Sequence, residues 1–478
     1  MDLIVNELVG ILKSELPLIK KEYRLVALLV NLSCELITMA LSSLDDELAS
    51  TMTTGQVQQK KWRTLVTPFG EIRYQRRYYF DPSTAQRFFA LDHFLGIAKT
   101  QRVSPLLRSL VAKASTGMTT RHEAAVFSLL TPVTLSHQAV SRIVHEVGQE
   151  LAEKQEAKTV QDEESLRDNT AKPAQQSKYI VVTGDALVYK QSAPGAKRGF
   201  LYRYTVHEGS RQIRKANGKP AKNRRELKNA VNFSSTDRVE ALWQADTYLH
   251  THYDLKNTVV ITNSDNGVGF TPDQFAYLGS GAKMWIHQLD HFHVRRKIAE
   301  RLGDNFPELS ARLLQAIFYS YDFKAVQAVL DTLASILSTD PSRNYQYQSE
   351  INKLAAYLKR NWDSLRPLRH YHVRNPGGLG TSESGHRKYS YRLKGQGKYW
   401  SAAGAKAQAV IIDCVKNKQL ERYLEVPPMD LKRQERPYDG KFIRQLLKQP
   451  QKPVEPHVGV VQGQVQFYGQ RYKTTYTA

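Results

Sequence analysis

The sequence predicts a mixed α/β core preceded by a helical, helix-turn-helix-like region. Three observations lead there. From Lys178 on, short β-branched runs follow in the order strand, strand, strand, helix, strand, helix, strand, which is the order of a mixed sheet. Residues 104–154 carry helical periodicity in three successive segments. Residues 303–375 are helical throughout before a new helix opens at Thr381, so a helical insertion interrupts the core.

The chain has 478 residues, enough for about three domains. Its 68 Lys and Arg against 46 Asp and Glu give a net charge of +22 and a pI near 9.7. Such an excess costs self-repulsion and points to a polyanionic partner. The only cysteines, Cys34 and Cys414, lie far apart, which argues against a disulfide framework and a zinc-finger spacing. The N-terminus, MDLIVNEL, lacks a signal peptide's cationic start. The apolar run Leu25 to Leu41 is broken by Asn31 and Glu35 and is expected to fall short of a membrane span. A cytosolic protein in a reducing compartment, with no membrane association, is the expectation.

Residues 1–50 read as one or two amphipathic helices, and 60–80 as a basic, aromatic hairpin turning at Pro68-Phe69-Gly70. In the last helix of the 104–154 set, Ser136 is placed to cap. Val140, Ile143, Val144, Val147 and Leu151 form its apolar stripe. Its other face presents His137, Gln138, Ser141, Arg142 and His145, candidates for reading a DNA groove. Residues 1–152 are thus assigned to a helical and hairpin DNA-binding region. The polar stretch 153–178 is read as a linker, 179–302 and 377–420 as the core, 303–376 as the insertion, and 421–478 as a C-terminal arm ending in a hairpin.

Within the core, three strands are expected to stop at an Asp: Asp185, Asp265 and Asp290. Residues just past the carboxyl ends of strands are where α/β sites assemble. Asp is also common in turns, and Ser-Asp-Asn-Gly at 264–267 is a good turn sequence. Glu383 is the single carboxylate between Ser364 and Ile412, a stretch holding Arg366, Arg369, Arg374, Arg387, Lys388, Arg392, Lys394, Lys398 and Lys406. Three carboxylates from separate elements suit two Mg²⁺ (or Mn²⁺) ions about 3.5–4 Å apart, which clamp the attacking and leaving oxygens of a phosphodiester. The cations, Arg387, Lys388, Arg392 and Lys394 among them, would neutralise the phosphates. Glu383 is equally explained as a helix-start acid favoured by the macrodipole.

Four stretches carry a resemblance: GDALVYK, SDNG, LDHFHVRRKI and GLGTSESGHRKYSYRLKGQGKYWSAAGAKA. Through them the chain resembles bacterial insertion-sequence transposases of the ISLre type, related to Mutator-like elements, from about residue 65 to 420. The resemblance implies an RNase H-like core of the DDE class, with its triad on Asp185, Asp265 and Glu383 and an accessory pair at Asp290 and His293. It also implies binding of element ends in double-stranded DNA, metal-dependent strand cleavage and strand transfer, and a homo-oligomer on DNA. Two departures touch only the turns: Ala186 follows the first acid where Gly is usual, and Asn266 separates the second acid from its Gly. The alternatives are an RNase H-like nuclease that cuts without joining, and a non-catalytic DNA-binding regulator.

Overall fold

The computed structural model describes residues 2–425, apart from 53–54, 174, 193–194, 196–197, 215–216, 268, 303–304, 340 and 396, together with 464–467 and 470–473. The side chains of residues 2, 222–223, 341–346, 382–384, 464–467 and 470–473 also lie outside the description. Two compact units divide the chain: 1–33 with 428–478, and 34–427.

The first unit contains α1 (Asp2–Lys13) and the start of α2 (Leu18–Thr51). Helix α2 is 34 residues long and, by length and composition, apolar enough to cross a membrane. The expectation that this run falls short is therefore corrected: Asn31 and Glu35 do not end the helix. Of the expected arm, residues 421–425 belong to the second unit and the remainder lies outside the described residues, except a short terminal hairpin pairing Phe467 with Gln470.

In the second unit, Ile37, Leu41, Leu44 and Leu48 of α2 pack on Leu65, Ile72 and Tyr74 of a hairpin. Its strands are β1 (Gln56–Thr67) and β2 (Gly70–Asp81), turning where expected and edged by β3 (Gln86–Phe88). Inward-facing Arg63 and Arg76 are buried because both pair with Asp92 of α3 (Ala90–Phe94).

Helices α4 (Pro105–Ser115) and α5 (Thr120–Leu130) precede α6 (His137–Arg167), whose N-cap Ser136 accepts from the Ala139 amide as expected. Residues 153–167 of the segment read as a linker are instead the second half of α6. Its surface is stitched by i,i+4 pairs, Lys154–Glu150, Lys158–Asp162 and Arg167–Glu163. Residue 152, the expected end of the first region, lies inside this helix. The α6 stripe shares one core with Val410, Ile411 and Cys414 of a later helix.

The sheet comprises β4 (Tyr179–Lys190), β5 (Arg198–His207), β8 (Val231–Ser235), β9 (Val259–Ser264) and β10 (Met284–Leu289). Between β5 and β8 the basic insertion forms its own hairpin, β6 (Ser210–Arg214) and β7 (Pro220–Leu227). The strand order is β10-β9-β4-β5-β8, with β4, β5 and β8 antiparallel and β4, β9 and β10 parallel. Helices α7 (Arg238–His252) and α8 (Pro272–Ala276) cover one face, burying Ala241, Ala245, Phe270 and Phe275 against Ile180, Val182 and Tyr204. Gly184 faces this layer: a Cβ there would meet Phe275 at 2.6 Å and Phe270 at 2.8 Å.

After β10 come α9 (His291–Leu302), α10 (Pro307–Gln315), α11 (Phe323–Ser338) and α12 (Pro341–Arg360). Leu313, Ile317, Val326, Leu333 and Leu358 form a core together with Val294 and Ile298 of α9. The helical insertion therefore packs as a unit that already includes α9, earlier than the expected start at 303. Helices α13 (Ser382–Leu393), α14 (Ala402–Lys416) and α15 (Leu420–Tyr423) complete the unit, the first two packing on the other face of the sheet through Leu187, Tyr389, Leu393 and Ala409.

Candidate functional site

Asp185 does not end its strand. It lies in the middle of β4, paired with Arg203 on β5, and β4 runs on to Lys190 because Leu187 and Tyr189 have a core to enter. Side chains alternate along a strand, so with Gly184 facing α8 the Asp185 carboxylate faces α13. There Oδ2 lies 2.8 Å from Nε2 of His386, and Oδ1 accepts from the Ala186 amide at 2.7 Å. Ala186 sits in regular paired strand opposite Tyr202, where a side chain is accommodated as readily as a glycine.

On the other side of the His386 ring, Nδ1 lies 2.8 Å from the Arg203 guanidinium. A guanidinium only donates, so Nδ1 accepts and Nε2–H is directed at Asp185. Burial disfavours the Asp185 carboxylate. The hydrogen bond from His386, the Ala186 amide and the electrostatic influence of His293 outweigh it and hold the carboxyl below its usual range. Arg203, 4% exposed, lies over the Tyr389 ring, and Tyr389 donates to buried Asp413. A buried polar chain thus runs behind Asp185. Neither His386 nor Arg203 figures in the sequence expectations.

Asp265 follows the last residue of β9, as expected, and Oδ1 accepts from the Gly267 amide at 2.8 Å. Asn266 has φ +53°, a left-handed conformation that Asn tolerates. Its side chain is fixed by His287 Nε2 at 2.7 Å and by Asn361 at 2.8 Å. Asn361 directly follows α12, so the insertion holds the Asp265 turn from outside the sheet.

Asp290 follows β10 and caps α9, Oδ1 accepting from the Phe292 amide at 2.9 Å. Burial pushes its carboxyl up, and the charges of Asp185 and Asp265 add to the rise against the Phe292 amide and His293. These influences on Asp290 place it with Asp185, Asp265 and His293 in one electrostatic neighbourhood at the carboxyl end of β9 and β10.

The Glu383 side chain lies outside the described residues, but its backbone is bracketed. Gly380, three residues before, has φ +69° and runs so close to Asp290 that a Cβ would meet Oδ1 at 3.1 Å. Its amide donates to Asn263 of β9 at 3.0 Å. His386, three residues after, touches Asp185. The first turn of α13 therefore enters the acid neighbourhood. Thr381 stands at the N-cap position, with its hydroxyl donating to the Gly378 carbonyl at 2.7 Å. Among the described residues no three His, Cys, Asp or Glu side chains close into a metal-binding group.

Of the expected phosphate-gripping cations, Arg387, Lys388 and Lys394 are exposed. Arg392 is not: it is 2% exposed and bonds Gln408 at 3.0 Å, so its assignment to the free surface is corrected. Its long stem packs inward because α14 supplies a buried partner sixteen residues on. His137, Gln138, Ser141 and Arg142 are exposed at the start of α6.

The site therefore defines a mixed α/β protein with carboxylates gathered on adjacent central strands. A family described as an uncharacterised protein family, UPF0236, matches residues 11–426, and the chain belongs to it. It is 30% identical over 430 residues to a Streptococcus gallolyticus protein named "UPF0236 protein in vanSb 3'region", with 88% of each chain covered.

Proposed function

We propose that this chain is a DNA transposase of the DDE class with an RNase H-like core, acting through Asp185, Asp265 and Glu383. The observation that carries the reading is the placement of the acids. Asp185 lies mid-strand in the central strand, Asp265 directly follows the parallel strand beside it, and the helix bearing Glu383 begins between a close approach to Asp290 and a contact with Asp185. The strand order, three antiparallel followed by two parallel, supports the same fold assignment.

Hard carboxylate oxygens suit divalent ions, and the crowding that raises Asp290 is relieved by positive charge. Asp185, Asp265 and Glu383 would hold two Mg²⁺ or Mn²⁺ ions. When bound, these supply charge stabilisation to the phosphorane-like transition state and lower the pKa of an attacking water. His386 keeps Asp185 ionised and oriented, while Arg203 holds His386 in the donating tautomer. Asn266, pinned by His287 and Asn361, fixes the turn that presents Asp265. Arg387, Lys388 and Lys394 meet DNA phosphates beside the acids, and their contribution weakens with salt. The same site would first hydrolyse a strand at an element end and then direct the freed 3′-hydroxyl at target DNA. Two ends imply a homo-oligomer on DNA, in the cytoplasm.

The test is replacement of Asp185, Asp265 or Glu383 by Ala, with Mg²⁺-dependent cleavage of end-bearing DNA measured beside binding. Cleavage is expected to vanish and binding to persist. Full cleavage by Glu383→Ala would sink the triad.

A further inference from the structure

At the far end of α13 from Glu383 lies a cavity of about 760 Å³ that the catalytic reading leaves unused. The first turns of three helices line it: Thr119 to Arg121 at the start of α5, His137 at the start of α6, and Ser401 with Gly404 at the start of α14. These helices have 11, 31 and 15 residues, and each end presents positive dipole charge, with one first-turn amide taken by the cap side chain of Thr119, Ser136 or Ser401. Arg121 and Lys398 join them, and no acid is among the described lining residues.

A second, independent feature points to a ligand. Arg392 lines the cavity, is 2% exposed, and its Nε is buried without a hydrogen-bond partner. Its acidic neighbour is Glu123, fully buried with both oxygens unpartnered. Burial pushes that carboxyl up to about 8, so near neutral pH it is largely protonated and leaves the Arg392 charge unbalanced. Two aromatic rings complete the wall: Tyr399, 62% exposed, and Trp400, whose backbone pairs with Lys190 and Ser192 at the end of β4.

We propose that this cavity takes one unstacked nucleotide of a DNA strand, its phosphate on the three helix starts with Arg121 and Lys398, its base against Tyr399 and Trp400. Converging helix N-termini suit a phosphate, and a ring surface takes any base. The placement sets the distance to the acids. Nine residues of α13 separate Glu383 from Arg392, roughly 14 Å. Seven residues of β4 and its extension separate Asp185 from Ser192, roughly 23 Å. These separations place the gripped nucleotide a few positions from the reacting phosphate. The inference rests on the transposase reading, and makes the cavity the element that captures a frayed or cut strand.

The test uses the full chain without divalent ions. Fluorescence anisotropy compares a blunt duplex with one bearing a single-stranded extension of about eight nucleotides, long enough to span that distance. Tyr399→Ala, and Arg121→Ala combined with Lys398→Ala, are expected to weaken the extended duplex about tenfold or more while barely moving the blunt one. Arg121 and Tyr399 are exposed, so their loss spares the core. Equal effects on both duplexes, or none, overturn the proposal. So does tighter binding of deoxynucleoside monophosphate or inorganic phosphate than of the extension, which would make this a small-molecule site. Cleavage in Mg²⁺ separates the two readings: loss in Asp265→Ala with unaltered binding by the cavity variants defeats the cavity alone, and cleavage surviving in Asp265→Ala defeats the catalytic reading.

Discussion

The two ends of α13 differ in chemistry. Its first turn enters a neighbourhood of Asp185, Asp265 and Asp290, where the charges of the first two add to the rise that burial imposes on the Asp290 carboxyl. Its last turn carries Arg392 into a cavity of cations and helix starts. In the proposed reading, a single twelve-residue helix links a place for cations with a place for phosphates. The net charge of the stretch suggests one basic patch, whereas the fold sorts it into opposed ends. The difference teaches that charge in a sequence window says little until the partners of each residue are known.

The sharpest way to break the acid end is to remove a carboxylate. Asp185→Ala or Asp265→Ala is expected to lower the cleavage rate by about a thousandfold or more, since several kcal/mol of transition-state stabilisation are at stake. Binding of end DNA, read by mobility shift, should remain. Retained cleavage would remove the distinction between the two ends.

A smaller effect is expected from His386→Ala. It removes the donor to Asp185, and outer-shell partners of this kind typically count for about 10–100-fold in metal affinity or activity. A rise in the Mg²⁺ concentration for half-maximal cleavage, with partial recovery in His386→Gln, separates positioning from a folding defect. An unchanged Mg²⁺ requirement would assign His386 to packing only.

At the cationic end, Glu123 makes stability fall with pH. Its folded value of about 8 lies above the usual 4.5, so its favourable contribution is complete below pH 4.5 and is lost as pH rises toward 8. The loss is bounded by roughly 1.4 kcal/mol per unit between those values. Glu123→Gln should raise the urea midpoint at pH 9 and leave it nearly unchanged at pH 5. The same midpoint shift at both would mean that Glu123 does not titrate there.

The smallest effect concerns the joint that holds the two ends together. Gly148 of α6 lies against Ala407 of α14, where a Cβ would meet backbone atoms at 2.5 and 2.6 Å. Gly148→Ala should cost about 1–3 kcal/mol of overpacking, read by thermal unfolding. Undiminished stability would show that α6 and α14 yield easily.

Much of the sheet was legible, because β-branched runs alternate with helical periodicity in the order of a mixed α/β layer. The Asp265 turn was legible for the same local reason, as Ser-Asp-Asn-Gly encodes its own bend. Asp185 was misplaced because Ala186 to Lys190 gives no sign of whether the chain turns or continues; only the core awaiting Leu187 and Tyr189 decides it. The second half of α6 reads as polar linker because it is stabilised by surface pairs and a thin stripe, with Leu151 and Thr159 buried. His386 escaped notice since its partner is 201 residues away, and Arg392 since its burial depends on Gln408 and Glu123.

The most direct test of the acid end is Mn²⁺ binding followed by electron paramagnetic resonance on the full chain, with Asp265→Asn and Arg121→Ala compared with the wild type. The proposed function predicts up to two bound ions in the wild type and in Arg121→Ala, and loss of at least one in Asp265→Asn. Equal binding by wild type and Asp265→Asn would contradict it.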